Sequence, residues 1–138
     1  MEENSLFFNW FFFKLPIGTV PEATPIPDEI VGILHSAAPI FSALVGLTLG
    51  ILADAISMTD KKLSALLNHY LQTSFYDFIN AYRVTEVQNK MKDERYDHYT
   101  LLAIGLECGF KSKASFNRIF KKVTGLSPSK YKSTFLHQ

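Results

Sequence analysis

The chain has 138 residues, with 14 Lys plus Arg against 13 Asp plus Glu, a net charge of +1, and 47% hydrophobic residues. That length suits one domain with an extension, or two small units, and excludes a multidomain enzyme; the apolar content excludes a chain disordered throughout. The near-neutral total hides an asymmetry, because residues 1–57 hold one base and six acids whereas residues 58–138 hold thirteen bases and seven acids. A basic second half points to a polyanionic partner. Cys108 is the only cysteine, which rules out an internal disulfide and a Cys-rich zinc site and suits a reducing compartment.

The first stretch, MEENSLFFNWFFFK, opens with acids and is cut short by Lys14 and Pro16, so it reads as a poor secretory signal. Pro16, Pro21, Pro25 and Pro27 fix φ and remove backbone donors, which predicts an extended or irregular linker from Pro16 to Asp28. Ile30 to Leu52 is a run of 23 residues without a formal charge, long enough as a helix to cross a bilayer. Three glycines, Pro39 and His35 dilute it, and a helix buried in a soluble core is the competing reading.

From Thr48 onward, short amphipathic helices alternate with punctuated turns, and no alternating strand pattern occurs; the class is all-α. Leu49, Leu52, Ala53 and Ile56 keep helical spacing. Thr59 is placed to cap a second helix whose stripe is Leu63, Leu66, Leu67 and Tyr70. Ser74 and Asp77 stand at capping-box spacing before the longest helix, predicted over 75–92, with Phe75, Phe78, Ile79, Tyr82, Val87 and Met91 inward. The charged KDERYDHY stretch, Lys92 to Tyr99, reads as a connection. Its His98, Asp93, Glu94 and Asp97 are too irregularly spaced for a metal site. Thr100 caps a short helix to about Glu107, and Gly109 suits a left-handed turn position. Ser112 caps a helix bearing Phe116, Ile119, Phe120 and Val123 on one face, and Gly125 stops it. Ser127-Pro128 opens a short terminal helix with Tyr131 inward.

Short helix, tight turn and second helix occur twice, at residues 48–71 and 100–123, with 52 residues between Thr48 and Thr100. This is the helix-turn-helix shape, whose second helix fits a major groove about 12 Å wide. Two such units on one long helix in a basic segment predict a double-stranded DNA partner.

TLLAIGLECGFKSKASFNRIFKKVTGLSPSKYK, residues 100–132, closely resembles the signature of the AraC/XylS family of bacterial transcription regulators, with its A-x-x-x-G-F turn, F-x-R-x-F-K-K helix and T-G-x-[ST]-P-x-x-Y close. LTLGILADAISMTDKKLSALLNHYLQTSFYDFINAYRV resembles the first half of the same module, so the likeness covers about 47–134 and leaves 1–46 as an apolar, irregular amino-terminal extension of unknown role.

The resemblance implies two homeodomain-like helix-turn-helix subdomains on a linker helix, set in successive major grooves of promoter DNA, with RNA polymerase as a further partner and a cytoplasmic location. By position in the matched motif, Lys113, Ala114, Ser115 and Arg118 fall on the base-reading face of the second unit, and Lys61, Ser64 and Ala65 on that of the first. Asn117, Lys121, Lys122, Lys62 and Asn68 are placed for phosphates. Arg118 is suited to a bidentate pair with guanine, whereas Ala114 offers only contact with a thymine methyl. The side chains on the first unit are short or flexible, which predicts weaker readout there. No cofactor, metal or catalytic group is implied, and no phosphate loop or nucleophile motif occurs.

Gly50 and Ile51 depart from the polar residues common there in the family, and Gly50 inside a helix costs about 1 kcal/mol relative to Ala. Phe110, Phe116 and Phe120 read as core, and Cys108 as a small buried turn residue. A membrane-tethered regulator anchored through residues 30–52, with its DNA-binding half in the cytoplasm, is the alternative, as is a truncated protein-interaction relic. Burial of Leu49, Leu52 and Ile56 against the following helix explains the apolar run without lipid.

Overall fold

The computed structural model describes residues 28–136; the aromatic stretch Phe7–Phe13 and the predicted linker up to Pro27 lie outside them. In chain order the helices are α1 (Asp28–Ser42), α2 (Leu49–Ala55), α3 (Asp60–Ala65), α4 (Phe75–Lys92), α5 (Leu101–Glu107), α6 (Lys113–Thr124) and α7 (Pro128–Leu136). Helix α3 runs on as a π-helical segment, Leu66–Tyr70, and a single 3-10 turn, Glu94–Tyr96, follows α4. No strand occurs among the described residues.

The helix starts lie where Ser and Thr side chains can satisfy the first unpaired backbone N–H groups. The hydroxyl oxygens of Thr48, Thr59, Ser74, Thr100 and Ser112 accept from the N–H groups of Ile51, Lys62, Asp77, Ala103 and Ser115. Gly125 ends α6 in the left-handed region at φ +82°, donating its N–H to the Lys121 carbonyl.

Two separate apolar cores form. Leu34 and Ala38 of α1 pack with Leu52, Leu63, Leu67, Phe78 and Ile79 in the first. Val84, Val87 and Met91 pack with Ile104, Phe110, Phe116 and Phe120 in the second. Helix α4 serves both. At about 100° per residue, Phe78, Ile79 and Tyr82 face one side and Val84, Val87 and Met91 nearly the opposite side. The single inward stripe predicted for this helix is therefore two half-stripes that change faces between Tyr82 and Val84. Lys90, near the end of α4, holds Glu107 of α5 at 3.4 Å and lies over the Tyr96 ring, fastening the second unit to the rod.

The uncharged run does not form one helix. It breaks after Ser42, passes Gly46 at φ +86°, and resumes at Leu49; no described helix is long and apolar enough to cross a membrane. Residues 28–42, read from sequence as extension, instead form a wall of the first core, because Leu34 and Ala38 are fully buried there.

A second difference lies at the end of α3. The Leu71 N–H reaches back five residues to the Leu66 carbonyl, 3.1 Å away, widening the turn. The wider turn brings Leu71 into the core and leaves Tyr70, predicted in the stripe, 37% exposed.

Candidate nucleic-acid interface

The two second helices of the helix-turn-helix units, α3 and α6, present the residues expected to meet DNA. The turn before each is held by a left-handed residue, Ser57 at φ +56° and Gly109 at φ +99°. These lie 52 residues apart, as do the caps Thr48 and Thr100, so the sequence duplication is also a duplication of backbone geometry.

On α6, burial of Phe116 and Phe120 turns the opposite face outward. Ala114, Arg118 and Lys121 run along the middle of that outward face, with Lys113 and Asn117 on one flank. All five are exposed. The helix carries Lys113, Arg118, Lys121 and Lys122 and no acid, so its surface is uniformly cationic. Ser115 is only half-exposed, and its hydroxyl is committed to a capping box: it donates to the Ser112 carbonyl at 2.9 Å and accepts from the Ser112 N–H at 3.2 Å. Its base-reading role would require breaking those bonds.

Lys122, assigned by resemblance to a phosphate, is paired instead with Asp77 on α4, 2.8 Å away. The ammonium beside Asp77 holds its carboxyl below the usual carboxylate range. Both side chains are more than half exposed, so the pair exchanges readily with solvent ions or phosphate.

On α3, Lys61, Lys62, Ala65 and Asn68 are exposed, and Ser64 is half-exposed, its hydroxyl accepting from the Asn68 amide at 3.2 Å. Apart from its lysines and the exposed Asp60 at its start, this surface is short and neutral. Lys62 lies toward the far side of the first unit, beside Ile33, Ile56 and Met58.

A cleft of about 970 Å³ opens between the units. It brings Asn68 of the first unit together with Ser115, Arg118 and Lys122 of the second, while the other predicted residues lie outside its lining. Its walls add groups that the sequence reading did not single out for contact, among them Gln72, Tyr76, Asn80 and Lys111. Tyr76 is 68% exposed at the start of α4, a large ring that lines this cleft. Its signal in the sequence was an aromatic residue off the predicted stripe, two residues after the capping Ser74.

Elsewhere the chemistry is quiet. Burial pushes the Cys108 thiol up to about 12, which leaves it protonated and unreactive at neutral pH. Among the described residues no group of three or more His, Cys, Asp or Glu could hold a metal ion.

Comparison with known proteins agrees with this arrangement. A family model described as a helix-turn-helix domain matches residues 52–134. HTH-type transcriptional regulators of Staphylococcus aureus, strains COL and MSSA476, are 31% identical over 86 residues, which is 62% of this chain and 11% of each relative. The chain thus spans about a ninth of the length of those curated relatives. Among solved structures, a DNA-binding transcriptional dual regulator from Escherichia coli K-12 superposes with a TM-score of 0.66 at 16% identity, covering 77% of this chain and 94% of that one. A transcriptional regulator from Chromobacterium violaceum, of the AraC-type DNA-binding class, gives 0.64 at 18% identity over 78% and 95% of the two chains. The C-terminal domain of AraT, a response regulator from Geobacillus stearothermophilus, gives 0.60 at 20% identity over 80% and 88%.

Proposed function

This chain belongs to the AraC-type helix-turn-helix family, and from that membership we propose that it acts as a sequence-specific DNA-binding transcription regulator, setting α3 and α6 in successive major grooves of promoter DNA. The observation that carries the reading is the doubled unit itself: two capped turns of matching backbone geometry, each presenting an exposed second helix, fixed to opposite faces of α4. The cationic surface of α6 supplies the sequence-independent attraction to phosphate, and Arg118 at the centre of its outward face supplies readout.

The regulator names of the Staphylococcus aureus relatives point the same way. RNA polymerase, recruited or obstructed at the promoter, is the protein partner that such a role requires, and the cytoplasm is where both would be met. Residues 47–134 would be the DNA-binding module, with units at 48–71 and 100–123 on the 75–92 rod. Helix α1 joins the first unit through Leu34 and Ala38.

Selection of bound duplexes from a random pool tests the reading. The expected product is a two-part site whose halves lie about 10–10.5 bp apart, centre to centre. Recovery of all sequences with equal affinity overturns it.

A further inference from the structure

One junction in the molecule belongs to neither unit alone. Arg83, in the middle of α4, donates from Nε to the Ser42 carbonyl at 2.6 Å and from Nη2 to the Leu44 carbonyl at 2.9 Å. Its Nη1 donates to Asn80 Oδ1 at 3.2 Å, so all three guanidinium nitrogens are engaged. The two carbonyls lie at and just beyond the end of α1, where the last turn of a helix leaves acceptors without intrahelical partners and the helix dipole is negative. Helix α1 has no basic residue in its own last turn, and Arg83 supplies that charge from another helix.

The second unit closes the junction. Gly109, in the turn before α6, approaches so closely that a Cβ there would lie 2.5 Å from the Ser42 carbonyl oxygen and 2.9 Å from Arg83 Nε. Only a residue without a side chain fits, and its φ of +99° favours glycine for a second reason. First unit, rod and second unit therefore meet around one planar cation, whose rigid fork holds several acceptors in fixed directions. The position of Arg83 on α4 suits this: it falls in the angular gap between the face that serves the first core and the face that serves the second.

We propose that Arg83 sets the spacing of the DNA site. By clamping the end of α1 against the Gly109 turn it fixes the rotation and separation of α3 relative to α6, and so the half-site distance at which both helices bind together. This deepens the double-groove reading above and rests on it. Rigid linkage raises the effective concentration of the second helix at its half-site only when the geometry matches, so a loosened junction lowers affinity at the matched spacing and levels it across neighbouring ones.

The test uses the full chain and a series of duplexes in which the selected halves are moved by zero, one or two base pairs either way, together with each half alone. Each base pair turns one half by about 34–36° relative to the other. The wild type should show one strongly preferred spacing. Arg83→Met should reduce the ratio of best to neighbouring spacings by about tenfold while binding the isolated α6 half-site as the wild type does. Arg83→Lys, a point charge without the fork, should fall between, and Gly109→Ala should act in the same direction by forcing the contact apart.

A folded Arg83→Met with the wild-type spacing ratio overturns the proposal, as does a variant that loses isolated half-site binding in step, which is what a merely structural residue would do. Should Arg83→Met not fold, Arg83→Lys is judged by the same two criteria. A wild type with no spacing preference at all refutes the double-groove reading instead, and is told apart by needing no variant.

Discussion

The ring of Phe116 is packed directly onto Gly105, so that a methyl group at residue 105 would lie 2.8 Å from two of its ring carbons. Phe110 and Phe120 flank that ring at centroid distances of 5.2 and 5.8 Å, and Phe116 is only 1% exposed, so it has nowhere to go. Replacing a helical glycine by alanine ordinarily gains about 0.5–1 kcal/mol, but overpacking costs about 1–3 kcal/mol. Gly105→Ala should therefore destabilise the fold, by about 1–2 kcal/mol in urea unfolding. A midpoint at or above that of the wild type would show that the second core yields.

Gly50 should behave in the opposite way. A Cβ there meets only the Asp60 carboxylate, at 3.4 Å, which is ordinary contact with a movable side chain. Gly50→Ala should raise stability by about 0.5–1 kcal/mol, the full helix propensity difference. Thermal unfolding of the two alanine variants side by side checks both signs at once.

The Lys122–Asp77 pair gives a prediction about DNA. The pair is exposed, so its contribution to folding is small. Asp77→Asn keeps a side-chain oxygen able to accept from the Ser74 hydroxyl, and releases Lys122 from its carboxylate. The melting temperature should change little, DNA affinity should rise, and the plot of log K against log salt should steepen by about 0.9 if one further phosphate is neutralised. An unchanged salt slope would mean that Lys122 stays off the backbone even when released.

Arg118 and Lys121 share the outward face of α6 but are expected to differ in kind. Arg118→Ala should relax selectivity at one base position, at a cost of about 1–3 kcal/mol for the preferred base. Lys121→Ala should weaken every sequence alike and flatten the salt slope by about one unit. Competition binding against a panel of single-base variants separates the two; identical profiles for both variants would reject the division of labour.

His35 should make the fold sensitive to mild acid. The imidazole lies against the Phe78 and Tyr82 rings and is hydrogen-bonded to the Tyr82 hydroxyl, and burial lowers its pKa from 6.5 to about 4. Between those values the unfolded chain takes up a proton that the folded one refuses, so stability contributed by the neutral ring is complete above pH 6.5 and declines as pH falls toward about 4. His35→Gln should remove that part of the slope. Parallel pH–stability curves for wild type and variant through this window would refute the assignment.

Local chemistry was legible in the sequence, and long-range geometry was not. Thr59, Ser74, Thr100 and Ser112 announced their helix starts because a cap acts over three residues, and the structure adds Thr48 to them. Phe110, Phe116 and Phe120 announced the second core through spacing and motif position together. The widened turn that exchanges Tyr70 for Leu71 has no local signal, since it arises from fitting the end of α3 to a core built by α1 and α4. The Arg83 junction was equally hidden: its acceptors, Ser42 and Leu44, lie about forty residues upstream in a segment that reads only as apolar. For the candidate interface, motif position supplied the exposed residues of α6 but could not show that the Ser115 hydroxyl is occupied or that Lys122 already has a carboxylate.

The change of faces on α4 between Tyr82 and Val84 makes that helix intolerant of any change in length. One residue inserted there would advance everything beyond it by about 1.5 Å and swing it through about 100°, carrying α6 to another side of the rod and pulling the Gly109 turn away from Arg83 and the Ser42 carbonyl. Such a protein would carry the same surface chemistry on two fingers set at a different angle about the rod.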